Sequence, residues 1–443
     1  MKKMNIQTKK DVVKKGALEE TVLIELYDDS ELDVKLTPPE LNIAIAIDVS
    51  GSMSSPVNRK AHPFYHFKGR QKEVINSNPE SRIEQAIKVA KKTLDNMKNG
   101  DYISIIAFNQ EAKTIIESVK LTAENRENIR NKIENLNASG MTDLYSGWLE
   151  SIEQISTNMK QEGNYINRVL LLSDGDITYG VNDSQKICQN VDKIARKGVS
   201  LTTFGIGEDF NEDLLQQMAV SGQANSYYID DADKMEQVFQ DEFNDFTSIS
   251  GRNVRITFET SDGVEVSENT CDFAVVDGNT FSMPNIRRTN KVYGVFKLKA
   301  MKAVTSGAEA DFGKVKLTYM DNEGCKQEEV VCLKREVVDR ETYEKAEENQ
   351  EVYIQEILME TAKMKKEATK KIDNNDKDSA KEMMLQGLNE LTSQHKKYGD
   401  DRLFNSIEGT KQVISMSEEE DVSSQALRKT ISYQGYSTTR SII

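Results

Sequence analysis

Between residues 41 and 247, short apolar runs at 43–47, 102–108, 168–172 and 199–206 alternate with segments of helical periodicity. The first run, IAIAI, has no polar position at all, so a strand built from it has no face to offer water. Such strands belong in the middle of a parallel sheet that is covered by helices on both sides. The intervening segments SRIEQAIKVAKKTLDNM, ENRENIRNKIENL and DSQKICQNVDKIARKG carry apolar residues at spacings of three and four and stop at Gly or Asn. The fold class expected for this half is α/β, a doubly wound and mostly parallel sheet.

In open sheets of this kind, ligands gather beyond the carboxyl ends of the strands. Run 43–47 ends there in Asp48, followed by Ser50 and Ser52, with Gly51 allowing a sharp turn between the two serines. Three oxygen-bearing side chains on one tight loop suit Mg²⁺, a hard cation that takes six oxygens. Two further loops add to the set: SGMTDL places Thr142 at the start of a helical pattern, and VLLLSDGD ends a strand in Asp174 and Gly175. Singly, each residue reads as well as a turn former or helix cap. Their coincidence at three strand ends favours a site. Asp143, Asp176 and Ser54 are read as solvated neighbours.

Asp-x-Ser-x-Ser, then Thr, then Asp-Gly, each in strand or loop context, resembles the von Willebrand factor type A domain with its metal-ion-dependent adhesion site, in the style of the intracellular bacterial members. The likeness covers roughly residues 39–248. It implies that Ser50 and Ser52 bind a metal through their hydroxyls, that Asp48 and Asp174 act mainly through water, and that Thr142 switches between the two modes. The metal implied is Mg²⁺, with Mn²⁺ and Ca²⁺ as alternatives. The partner implied is another protein that supplies an Asp or Glu to the sixth position, with self-association left open. The chain departs from the family pattern after the first loop. Residues 56–80 intervene before the next helix and hold Arg59, Lys60, Lys68, Arg70 and Lys72 among Phe64, Tyr65 and Phe67, with His62 and His66. This segment is either a rim to the site or a surface insertion without a role.

From about 251 to 337 the periodicity becomes two, in stretches such as VRITFET and KVYGVFKLKA separated by Asp-Gly and similar turns, which predicts an antiparallel β-sandwich. The early segment TVLIELYDDSELDVKL alternates in the same way. It is expected to pair into that sandwich, leaving the α/β domain inserted. The expected organisation is residues 1–38 as N-terminal strands, 39–248 as the α/β domain, 249–340 as the sandwich, 341–417 as an α-helical hairpin or bundle, and 418–443 as a flexible tail. The tail holds Thr430, Ser432, Ser437, Thr438, Thr439 and Ser441 among Arg428, Lys429 and Arg440. It is read as a passive end, a phosphorylation-tuned docking peptide, or a strand TISYQGY able to add to a sheet edge.

Asp plus Glu total 73 against 58 for Lys plus Arg, a net charge of −15, which argues against nucleic acid and anionic lipid as partners. The basic opening MKKMNIQTKKDVVKKG is followed by no apolar stretch, and no run approaches the length of a membrane span, so a cytoplasmic setting is expected. The four cysteines, at 188, 271, 325 and 332, lack CxxC spacing and read as reduced packing residues. The leading functional expectation is a Mg²⁺-dependent protein-interaction scaffold, not an enzyme. An adaptor presenting substrates to a separate ATPase is the first alternative, and a metal-dependent phosphohydrolase the second. Against the latter, no His, Cys or Lys stands beside the motif as base or nucleophile, and there is no GxxxxGK[ST].

Overall fold

The computed structural model describes residues 4–28, 40–56, 80–159, 165–207, 211–229, 248–288, 290–301, 309–321, 323–418 and 424–439. The chain divides into two compact units, Val34–Ser248 and a second made of Met1–Asp33 with Ile249–Ile443. Three strands, β1 (Met4–Thr8), β2 (Val12–Lys14) and β3 (Glu19–Leu26), therefore precede the first unit in sequence yet belong to the second.

The Val34–Ser248 unit holds strands β4 (Glu40–Asp48), β5 (Tyr102–Phe108), β6 (Ala112–Lys120), β7 (Tyr165–Ser173), β8 (Val199–Ile206) and β9 (Ser226–Ile229). Its helices are α1 (Arg82–Asn96), α2 (Arg126–Glu134), α3 (Leu144–Met159), α4 (Ser184–Ala195) and α5 (Glu212–Ser221). The strands form one sheet in the order β6-β5-β4-β7-β8-β9, parallel except for β6, which runs antiparallel to β5. This is the doubly wound α/β sheet that the apolar runs predict. Strand β4 explains its own place: Ile43, Ile45 and Ile47 pack on one face with Val89 and Leu94 of α1 and Ile129 of α2. Ala44 and Ala46 face the other way, into the core of α3, α4 and α5. There the small alanines leave room for the fully buried Trp148.

The second unit is completed by β10 (Ile249–Thr260), β11 (Val264–Asn269), β12 (Val275–Asp277), β13 (Thr280–Ser282), β14 (Ile286–Arg287), β15 (Val292–Ala300), β16 (Glu309–Met320) and β17 (Lys326–Val338). One sheet runs β1-β3-β15-β11 and the other β12-β13-β10-β16-β17-β2, with β14 paired to β10. Val22, Ile24 and Leu26 of β3 join Val254, Ile256 and Phe258 of β10 in the shared core. Rings of Phe258 and Phe281 lie 4.9 Å and 5.0 Å from that of Phe296, closing the middle of the sandwich.

Helices α6 (Arg340–Lys345), α7 (Gln350–Asp373), α8 (Lys377–Tyr398), α9 (Asp401–Glu418) and α10 (Ser424–Thr439) follow. Val352 and Met359 of α7 pack into the sandwich core. Over residues 424–439, helix α10 corrects the expectation of a flexible tail and of an edge-adding strand at TISYQGY. Leu427 and Ile431, one helical turn apart, sink into a cluster with Ala368, Ile372, Met384, Val413 and Met416. Gly435 lets the helix lie close on α7, since a Cβ there would stand 3.2 Å from the Ala362 carbonyl oxygen. Of the hydroxyls read as sites for phosphate, those of Ser437 and Thr438 donate to the carbonyls of Tyr433 and Gln434, four residues back. Of the cysteines, Cys271 is buried and Cys188 half-buried, whereas Cys325 and Cys332 are exposed and do not pack as expected.

Candidate functional site

Strands β4 and β7 are neighbours, but the chain leaves β4 toward β5 on one side and β7 toward β8 on the other. Between their carboxyl ends the following loops part and leave a crevice, the usual ligand position in such sheets. Asp48 is the last residue of β4 and Asp174 follows the last residue of β7. Both are buried, at 0% and 2% exposed, as are Ser50 and Thr142. Ser52, on the short 3₁₀ turn Gly51–Ser54, is the exposed member and opens the site to solvent.

Hydrogen bonds hold the first loop in shape. The Ser50 amide donates to Asp48 Oδ1 at 2.8 Å, and the Ser50 and Ser52 hydroxyls lie 3.0 Å apart. Ser173 donates to Asp48 Oδ2 at 2.7 Å while its own oxygen accepts from the Gly175 amide at 2.8 Å. The second loop is stitched to the first through backbone alone: Gly51 N–H to the Gly140 carbonyl at 2.9 Å, and Ser139 N–H to the Val49 carbonyl at 2.6 Å. A Cβ on Gly51 would press to 3.3 Å from that Gly140 oxygen, so the approach relies on glycine. Thr142, two residues on, is fixed by a hydrogen bond from its amide to the Thr178 hydroxyl at 2.8 Å and by its carbonyl, which accepts from the Thr178 and Tyr179 amides.

Burial, and next the charge of Asp174, push the Asp48 carboxyl up to about 6, against the hydrogen bonds from Ser173 and Ser50. The pair is partly compensated by Arg82, the first residue of α1, whose Nη1 reaches Asp174 Oδ2 at 3.0 Å. The other oxygen, Asp174 Oδ1, is buried and has no hydrogen-bond partner among the described residues. Two carboxylates, one of them with a buried and unanswered oxygen, and three hydroxyls make a set of hard donors that suits a small divalent cation better than a soft one. Among the described residues no three His, Cys, Asp or Glu side chains gather at any point. A site here would be hydroxyl-rich.

Reading the sequence singled out Asp48, Ser50, Ser52, Thr142 and Asp174, and the three loops that carry them meet at this end of the sheet. It missed Ser173 and Arg82. Ser173 stood inside the quoted VLLLSDGD, and its hydroxyl, next to the acid, was the available signal. Arg82 occupies the first turn of an amphipathic helix, where a basic residue normally faces water, and nothing local marked it as buried. Asp143 accepts from the Ser146 amide at 3.0 Å as an ordinary cap of α3, and the Ser54 hydroxyl donates to the Gly51 carbonyl. The segment with Arg59, Lys60, His62, Phe64, Tyr65, His66, Phe67, Lys68, Arg70 and Lys72 lies outside the described residues.

Fold and crevice together define a class: a Rossmann-like α/β module with an oxygen-lined site at its switch point. Residues 42–241 match the von Willebrand factor type A domain, and the chain carries such a domain. YfbK, an uncharacterized protein of Escherichia coli (strain K12), is 26% identical over 222 residues, 50% of this chain and 34% of that protein. Inter-alpha-trypsin inhibitor heavy chain H3 of Rattus norvegicus is 31% identical over 210 residues, 45% of this chain and 21% of its own length. The chain thus spans between a fifth and a third of these relatives. Among solved structures, a von Willebrand factor type A protein from Catenulispora acidiphila superimposes with a TM-score of 0.69 over 97% of this chain and 96% of that one, at 13% identity. The ArnB paralog VWA2 from Sulfolobus acidocaldarius gives 0.57 over 99% and 98%, at 15% identity. At such identities the likeness concerns the fold. Among the described residues no helix is long and apolar enough to cross a membrane.

Proposed function

We propose that the α/β unit is a divalent-cation-dependent protein-binding module. Mg²⁺, or Mn²⁺ or Ca²⁺ in its place, would be held by Ser50, Ser52 and Thr142, with Asp48 and Asp174 supporting it. A partner protein would complete the shell with an Asp or Glu. The observation that carries this reading is the buried Asp174 oxygen without a partner, set beside a second buried carboxylate at the mouth of the sheet. Leaving such an oxygen unanswered is costly, and a cation or its water answers it. The same reading makes the chain a binder and not a catalyst.

Calorimetric titration of the full chain with Mn²⁺ tests the proposal. One site is expected, with binding lost in a Ser50→Ala, Ser52→Ala double variant that keeps its fold, because strands and helices supply the core. Equal binding by wild type and double variant would refute it. Capture of partners by wild type in Mg²⁺ should fail in EDTA and with Asp48→Ala.

A further inference from the structure

Arg82 has no counterpart in the donor set just described, yet the fold goes to some length to place it. Its amide donates to the Ser55 carbonyl at 3.0 Å, tying the start of α1 to the end of the first loop. The preceding Ser81 and Glu84 form a reciprocal capping box that fixes where the helix begins. Gly207 lies against the Arg82 side chain: a Cβ there would stand 2.5 Å from Nε and 2.9 Å from Cζ, so glycine at the end of β8 leaves the guanidinium its channel. At the far end Arg82 Nη1 meets Asp174 Oδ2, with the two side chains 10% and 2% exposed.

We infer that Arg82 is a built-in counter-cation that moves binding affinity from the metal to the partner's carboxylate. The inference rests on the divalent-cation reading above. Two carboxylates and one guanidinium leave the empty site with a single net negative charge. A divalent ion entering it meets a fixed positive charge at close range, and its binding is weakened accordingly. Once the ion is in, the same charge leaves the site net positive. An incoming carboxylate then neutralises it, whereas without Arg82 that carboxylate would face a site already neutral. Arg82 therefore shifts affinity from the metal step to the partner step. In the absence of metal the guanidinium also keeps Asp174 paired on one oxygen, which lets the loops fold before a cation arrives.

The test titrates Mn²⁺ into the full-length wild type, Arg82→Gln and Arg82→Lys, with and without acetate as a partner-like carboxylate, and follows thermal unfolding in EDTA. Arg82→Gln is expected to bind Mn²⁺ roughly tenfold more tightly, to bind acetate more weakly once loaded with Mn²⁺, and to unfold at lower temperature in EDTA. Arg82→Lys, which keeps the charge, should keep the wild-type acetate affinity of the loaded site. If wild type binds Mn²⁺ and a folded Arg82→Gln binds it with the same or weaker affinity, Arg82 only positions Asp174, and this inference falls while the proposed function stands. If neither chain binds Mn²⁺, both fall together.

Discussion

Ser173 shows how much of this site depends on a side chain that would never touch a cation. Its hydroxyl both donates to Asp48 Oδ2 and accepts from the Gly175 amide, so it orients the carboxylate and the turn after β7 at once. Outer partners of this kind commonly set affinity by ten- to a hundredfold. Ser173→Ala is expected to weaken Mn²⁺ binding by roughly that factor without abolishing the fold, as calorimetry alongside far-ultraviolet circular dichroism would show. Unchanged affinity would mean that the backbone alone orients Asp48. At this scale the sequence was partly legible. Oxygen-bearing residues at strand ends announced themselves by position, whereas Arg82 did not, because the space its side chain fills is left open by Gly207, more than a hundred residues away.

Among the elements, β4, β5, β7 and β8 of the α/β sheet were readable because burial on both faces leaves mostly apolar runs, with Ser104, Arg168, Thr202 and Thr203 as buried exceptions, whereas β6 and β9 were not singled out. The strands of the sandwich were readable because burial on one face leaves a period of two. Helix α10 was misread. Its buried apolar residues are Leu427, Ile431 and Tyr436, set among buried Lys429, Thr430, Gln434 and Ser437, and so mixed a face has meaning only against the groove of α7 and α9 that receives it. That groove has a cost: Lys365 of α7 is 2% exposed, close under Gly435 of α10, and burial alone brings its ammonium down to about 8 from 10.5. Between those values the unfolded chain holds a proton that the folded chain has released. Stability of the helical part should accordingly rise as pH climbs from about 8 to 10.5, by about 3 kcal/mol in all. Lys365→Met should be more stable by a similar amount at neutral pH and should lack the rise. Calorimetric unfolding across that range checks both, and a parallel pH dependence in wild type and variant would count against a buried, uncompensated lysine.

For the molecule as a whole, the strands that open the chain and the strands that follow residue 248 make a single sandwich, with another complete unit placed between them. Val22, Ile24 and Leu26 of β3 pair with Phe296, Gly294 and Val292 of β15. Removing residues 1–28 should therefore unfold the sandwich while leaving the α/β unit intact. The single tryptophan, Trp148, is buried in α3 of that unit and reports on it alone. Its fluorescence spectrum should be unchanged in the truncated chain, while the calorimetric transition of the other unit disappears. A red-shifted spectrum would show that the unit cannot fold without the strands before it.

The same pairing has a consequence in time. Strand β3 leaves the ribosome long before β15 exists, with about 270 residues still to be made between them, which at usual elongation rates takes on the order of 10 to 60 seconds. Throughout that interval its apolar face and its unpaired edge are available to any other nascent chain. The inserted unit, whose contacts lie within its own stretch, has time to fold while β3 waits. The opening strands of this protein are thus expected to depend on a holding chaperone during synthesis, and slower translation should lengthen the exposure.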